Sequence, residues 1–181
     1  MTEQLTLKNR IIFTGIVTVL IWTHLAWDHF HGGVPTHHML QQQDMPGISN
    51  WWGGVVIPLL TWFLLTLIQR SLNNMDPAES SKNVKNIIYR FNTALVFGLL
   101  LSVFFTMGSE LPGYMMIGAM VLSFFLPIYR PEYLLGFILG MTYTFGPILP
   151  ILFGLLLTVI GLIAYKVVRF GLLYLVGKIK R

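Results

Sequence analysis

The sequence predicts an all-α polytopic membrane protein with six transmembrane helices and both termini cytoplasmic. Three observations carry this. Of 181 residues, 55% are hydrophobic and only 10% charged, where a soluble domain carries about a quarter charged residues. Six apolar runs, at 11–31, 53–69, 87–107, 113–129, 133–146 and 148–165, follow one another along the chain, and a bilayer core of about 30 Å takes roughly 20 residues of helix. If all six cross, the 12 lysines and arginines fall on one side, which the positive-inside rule makes cytoplasmic.

The first run follows Lys8 and Arg10 and has the look of a secretory signal. Ala26, however, is flanked by Leu25, Trp27 and Asp28, so no small-x-small cleavage site follows, and the run reads as a retained helix. The second run opens on Gly53-Gly54, residues that permit close helix packing, and contains Pro58, which bends or ends helices. A hydrophilic connection, 71–85, separates it from the third run and reads as a cytoplasmic loop. The fourth run ends near Pro127 and Arg130. The fifth has only about 14 residues, so a re-entrant segment competes with a full crossing. A re-entrant fifth run would put Lys166, Arg169, Lys178, Lys180 and Arg181 outside, so charge favours six crossings. The whole, 1–181, reads as one membrane-embedded domain in a bacterial cytoplasmic membrane.

Composition also excludes functions. There is no cysteine, hence no disulfide, thiolate ligand or cysteine nucleophile. The net charge of +5 is scattered between apolar runs, so the partner is the lipid bilayer and not nucleic acid.

Chemistry concentrates in one stretch. All five histidines, His24, His29, His31, His37 and His38, lie at the end of the first run and in the extracytoplasmic loop 32–52, together with Asp28 and Asp44 and no lysine or arginine. At about 100° per residue, Asp28 lies about 40° from His24 and His31 about 20° to its other side, so the three share a stripe. His29 points about 140° away. Ionisable groups below the headgroups are costly and face the bundle interior with a partner or a task. Gly32-Gly33 ends the helix and lets the chain fold back, bringing His37, His38 and Asp44 over the stripe.

Several imidazoles plus carboxylate form a ligand set for a divalent transition metal, zinc first, with copper or iron as alternatives. The expected ligands are His24, Asp28, His31, His37 and His38, with Asp28 either a ligand or the acceptor that orients one. Asp28, Asp44 and Glu110 are the candidates for proton transfer, and Ser102, Thr106 and Ser109 for a polar wall on the third helix. Asn50, Trp51 and Trp52 are candidate substrate contacts, although a tryptophan pair before a span also fits an interface belt and Ser49-Asn50 a helix cap. Thr142-Tyr143-Thr144 is expected to face the interior. Against the metal stand a metal-free hydrogen-bonded network, a proton-responsive switch, and solvated histidines without a role. No fixed-spacing metal motif is present. Runs two to six contain no histidine, which argues against bis-histidine haem between facing helices.

In its chemistry the cluster resembles the zinc-dependent membrane hydrolases of the alkaline ceramidase and adiponectin-receptor type. The span count is lower here and all histidines belong to one helix and its loop, so no residue is carried across. The function expected is a metal-dependent membrane hydrolase acting on a lipid or amphiphile at the extracytoplasmic face. The alternatives are a metal-ion or proton-coupled transporter using the same cluster, or a non-enzymatic assembly module.

Overall fold

The computed structural model describes residues 5–38, 47–74, 79–169 and 171. Among the described residues six α-helices appear, α1 (Leu7–Phe30), α2 (Gly53–Asn73), α3 (Ser80–Thr106), α4 (Leu111–Leu122), α5 (Pro131–Phe145) and α6 (Ile148–Leu162), the last continuing as a π-helical turn over Ile163–Val168. The loop after α1 adds a small antiparallel hairpin, β1 (Thr36–His38) with β2 (Gly47–Ser49), in which His37 is paired with Ile48.

Local chemistry sets the ends. The Thr6 hydroxyl accepts a bond from the Asn9 amide and starts α1. Gly32 and Gly33, at φ 118° and 94°, turn the chain out of it, a conformation glycine adopts without strain. Ser49 caps a 3-10 turn at Asn50–Trp52 instead of α2 itself. Pro58 lies inside α2, which continues past it to Asn73.

Neighbouring contacts give the directions. Arg10 of α1 bonds Thr66 of α2 at 2.9 Å, while Leu25 of α1 abuts Gly54 at the other end, so these helices are antiparallel. Arg90 meets Glu132, and Phe105 meets Phe145, so α3 and α5 run parallel. Gly154 of α6 faces Leu134 and Ile138 of α5, and Gly161 faces Ile128, making that pair antiparallel.

α5 is the central helix, with nine of its fifteen residues buried. Its seam with α3 is closed by glycines. A Cβ on Gly136 or Gly140 would run into the Phe91 or Leu95 carbonyl oxygen of α3. Lipid gives helices no hydrophobic reason to associate, so small residues that let backbones approach supply the packing instead. Outward-facing side chains are large and apolar, as at Leu20, Leu59, Phe63 and Leu156.

Four helical stretches, Leu7–Phe30, Asn50–Asn73, Ser81–Thr106 and Ile148–Val168, are long and apolar enough to cross a membrane, and lipid is the solvent this surface fits. The fourth run departs from expectation, whereas the fifth is as short as expected. α4 has 12 residues and stops at Leu122, because Ser123 bonds back to Met120 and Phe124, Phe125 and Leu126 close successive tight turns ahead of Pro127. A residue before proline disfavours the helical region. α5 has 15 residues. Neither alone reaches the roughly 20 residues that span the hydrocarbon.

Candidate functional site

The buried stripe of α1 is Val17, Ile21 and Leu25. At about 100° per residue, His24 and Asp28 lie on one flank of that stripe and Trp22 and His29 on the other. The two flanks meet different neighbours. The His24 ring stands 5.5 Å from that of Tyr143 on α5. Trp22 and His29 instead hold Trp51 between them, at 6.3 and 5.8 Å between ring centroids.

His24 Nε2 is 3.7 Å from Asp28 Oδ2, with 16% and 21% of the two side chains exposed. That separation is beyond a hydrogen bond, and among the described residues neither side chain has a hydrogen-bond partner. His31, expected on the same stripe, is drawn off it. It is the residue at which α1 ends, with φ −122° and ψ 43°, and there its ring stacks on Trp27 at 3.8 Å while Nδ1 pairs with the Trp27 carbonyl at 2.9 Å. The helical spacing that aligned it with His24 no longer holds once the helix has ended. Among the described residues, no three His, Asp or Glu side chains converge on one point. His37 and His38 lie in β1, with their side chains outside the described residues, and Asp44 lies outside them altogether.

The remaining candidates separate. Asn50 is buried, 1% exposed, its backbone N–H donating to the Pro35 carbonyl at 3.0 Å and its side-chain Oδ1 without a partner among the described residues. It presses on Gly146, the residue that closes α5. An orphaned buried acceptor costs about 1–3 kcal/mol, so Asn50 Oδ1 is a place where a donor from water or ligand would be welcome. Trp51 is partly covered, whereas Trp52 is mostly exposed. Glu110 is exposed at the start of α4 and forms no ion pair among the described residues. It is nevertheless at the same end of the bundle as His24, since Phe105 on α3 packs against Phe145 on α5. Of the expected polar wall, Ser102 is buried, its Oγ without a partner among the described residues, Thr106 bonds its own helix, and Ser109 accepts from Leu111.

No family model, curated protein or solved structure matches this chain. The site therefore has to be read from its own geometry.

Thr142-Tyr143-Thr144 was expected to face inward. Only Thr142 is buried, and its hydroxyl is held by Ile138, whereas Tyr143 is 81% exposed beside His24. A second polar feature escapes sequence reasoning. At the far end of α3 and α5, Arg90 Nη1 bonds Glu132 Oε1 at 3.1 Å, and Glu132 is almost wholly buried. Its partner is 42 residues away in sequence, which no helical spacing reveals. The available signal was a glutamate, Glu132, two residues after Arg130 at the edge of a predicted span. The Gly136-x-x-x-Gly140 spacing likewise advertised the α3–α5 seam.

Proposed function

We propose that this chain is a six-span enzyme of a bacterial cytoplasmic membrane, termini inside, whose His24–Asp28 pair serves a metal-assisted hydrolysis of a lipid or amphiphile at the extracytoplasmic face. Orientation is supported by charge. Arg10, Arg90, Lys166 and Arg169 gather at one end, Lys166 and Arg169 on the rings of Tyr129 and Tyr165, as in an interfacial belt. The opposite end carries His24, Asp28 and the tryptophans.

The observation that carries the reading is the 3.7 Å separation of His24 Nε2 and Asp28 Oδ2 on the flank of α1 that faces Tyr143. Tetrahedral ligands about 2.0–2.1 Å from zinc stand about 3.4 Å apart, a small rotamer adjustment from the distance seen. Further ligands come from His31, His37 or His38, and His31 joins only by leaving Trp27. A bound zinc ion would make a water acidic enough to act as nucleophile near neutral pH. Asp28, Asp44 or Glu110 would accept the proton, and Asn50 would take a donor on its orphaned oxygen. The test is elemental analysis of detergent-purified protein. One transition metal per chain, lost in both His24→Ala and Asp28→Ala but kept in His29→Ala, is expected. Metal-free protein, or metal unaffected by those substitutions, would sink the reading.

A second reading, a proton-coupled transporter, is favoured by one observation, the buried Glu132 at the end opposite His24. Proton flux in liposomes, lost in both His24→Ala and Glu132→Gln, would establish it over hydrolysis.

A further inference from the structure

At the end remote from His24, a cavity of about 130 Å³ lies between α3, α4, α5 and α6. Ala94, Phe137 and Leu157 form its buried floor. Its exposed lining residues are Thr93 of α3, Leu122 at the end of α4 and Leu126 in the turns after it, so it opens at the side of the bundle. In a bundle surrounded by lipid, that direction is the bilayer.

The wall selects the occupant. Its two threonine hydroxyls are committed to their own helices, Thr93 to the Tyr89 carbonyl and Thr158 to that of Gly154, each at 2.8 Å, which leaves the Tyr133 phenol as the one other polar side-chain group among the lining residues. A water needs two to four polar partners to settle, whereas an apolar space of about this size stays dry and accepts a small apolar guest. Left empty beside lipid, the same wall forfeits its dispersion contacts. Hydrocarbon is what fits.

The rim selects the headgroup. Arg90 lies one helical turn before Thr93, and Arg130 follows Ile128 of the wall by two residues. Lys166 holds its Nζ 5.4 Å from the ring of Tyr129. Glu132 is taken by Arg90, so Arg130 and Lys166 leave this rim positive, and among the described residues neither is paired with a carboxylate. We infer that the cavity seats an acyl chain of an anionic membrane lipid whose phosphate is held by Arg130 and Lys166. This rests on the chain's residence in a bilayer and is independent of the chemistry at His24.

Native mass spectrometry of the detergent-purified full chain, exchanged against equal amounts of phosphatidylglycerol and phosphatidylcholine with identical tails, reads the outcome. A single phosphatidylglycerol retained with a preference of about tenfold or more is expected, the scale on which two basic residues draw an anionic lipid. Leu122→Trp closes the mouth from an exposed position, where its bulk does not enter the core, and should abolish retention. Arg130→Gln with Lys166→Gln should erase the preference. Equal retention of the two lipids by the native chain, or phosphatidylglycerol held undiminished by either variant, overturns the inference.

Discussion

Gly98 of α3 and Gly140 of α5 face each other backbone to backbone: a Cβ built on Gly98 would stand 3.2 Å from the Gly140 Cα and 2.8 Å from the Phe137 carbonyl oxygen. Backbone cannot yield as a side-chain tip does. Gly140→Val is therefore expected to destabilise the protein by about 1–3 kcal/mol, the range of overpacked cores, and to part α3 from α5. Gly118→Val, on α4 where nothing lies within 4 Å, should leave stability unchanged. Thermal unfolding in detergent decides, and equal midpoints for the two variants would contradict the close seam.

The Arg90–Glu132 pair is asymmetric, and its two halves should not cost the same to remove. Breaking a buried pair costs roughly 3–5 kcal/mol because one charge is left without compensation. Arg90→Met strands a carboxylate only 4% exposed, whereas Glu132→Met leaves a guanidinium 23% exposed, and such a side chain can extend its head toward water or headgroups. Arg90→Met should be the more damaging, and the double substitution milder than Arg90→Met alone. Denaturant unfolding of the three variants measures the order, and Glu132→Met as the worst would reverse it.

These two predictions also mark where sequence reasoning reaches and where it stops. Helices are legible because each apolar run is bounded by glycine, proline or charge, and in α1 the boundary came within a few residues through Gly32-Gly33. The end of α4 is not legible from hydropathy, since 123–129 is as apolar as the helix before it and only the turn chemistry of Ser123 and Pro127 breaks it. The His24–Asp28 pair is legible because both residues lie within one regular helix. His31 is not, because one residue beyond the helix a changed φ and ψ redirect its ring to Trp27. Glu132 and Arg90 meet only through the α3–α5 seam, a tertiary fact carried by glycines that look unremarkable one at a time.

Gly146 offers a separable prediction. It closes α5 at φ 67° and ψ −179°, a region essentially reserved for glycine, where another residue costs about 1–3 kcal/mol. Its missing Cβ is also where the Asn50 side chain lies. Gly146→Ala should therefore lose stability from two causes, and adding Asn50→Ala should restore the steric part while the backbone part persists. Partial recovery of the unfolding midpoint is the expected result. Full recovery would mean that the backbone conformation carries no strain, and none would mean that Asn50 is not the obstacle.

The fourth crossing is the weakest link of a six-span topology, since 12 residues of helix rise only about 18 Å. The far end of α4 nevertheless lies beside the first half of α3. Leu122 and Leu126 share a cavity wall with Thr93 and Ala94, near the end of α3 marked by Arg90, whereas Met107 marks the other end of that helix. The turns at 123–126 lead from there to Arg130. Because the chain has no cysteine, single cysteines report the side directly. Thr36→Cys and Met107→Cys are expected to react with a membrane-impermeant maleimide in intact cells. Asn74→Cys and Arg130→Cys should react only after permeabilisation. Labelling at 130 from outside, with 107 also accessible, would turn α4 into a segment that enters and leaves the same face.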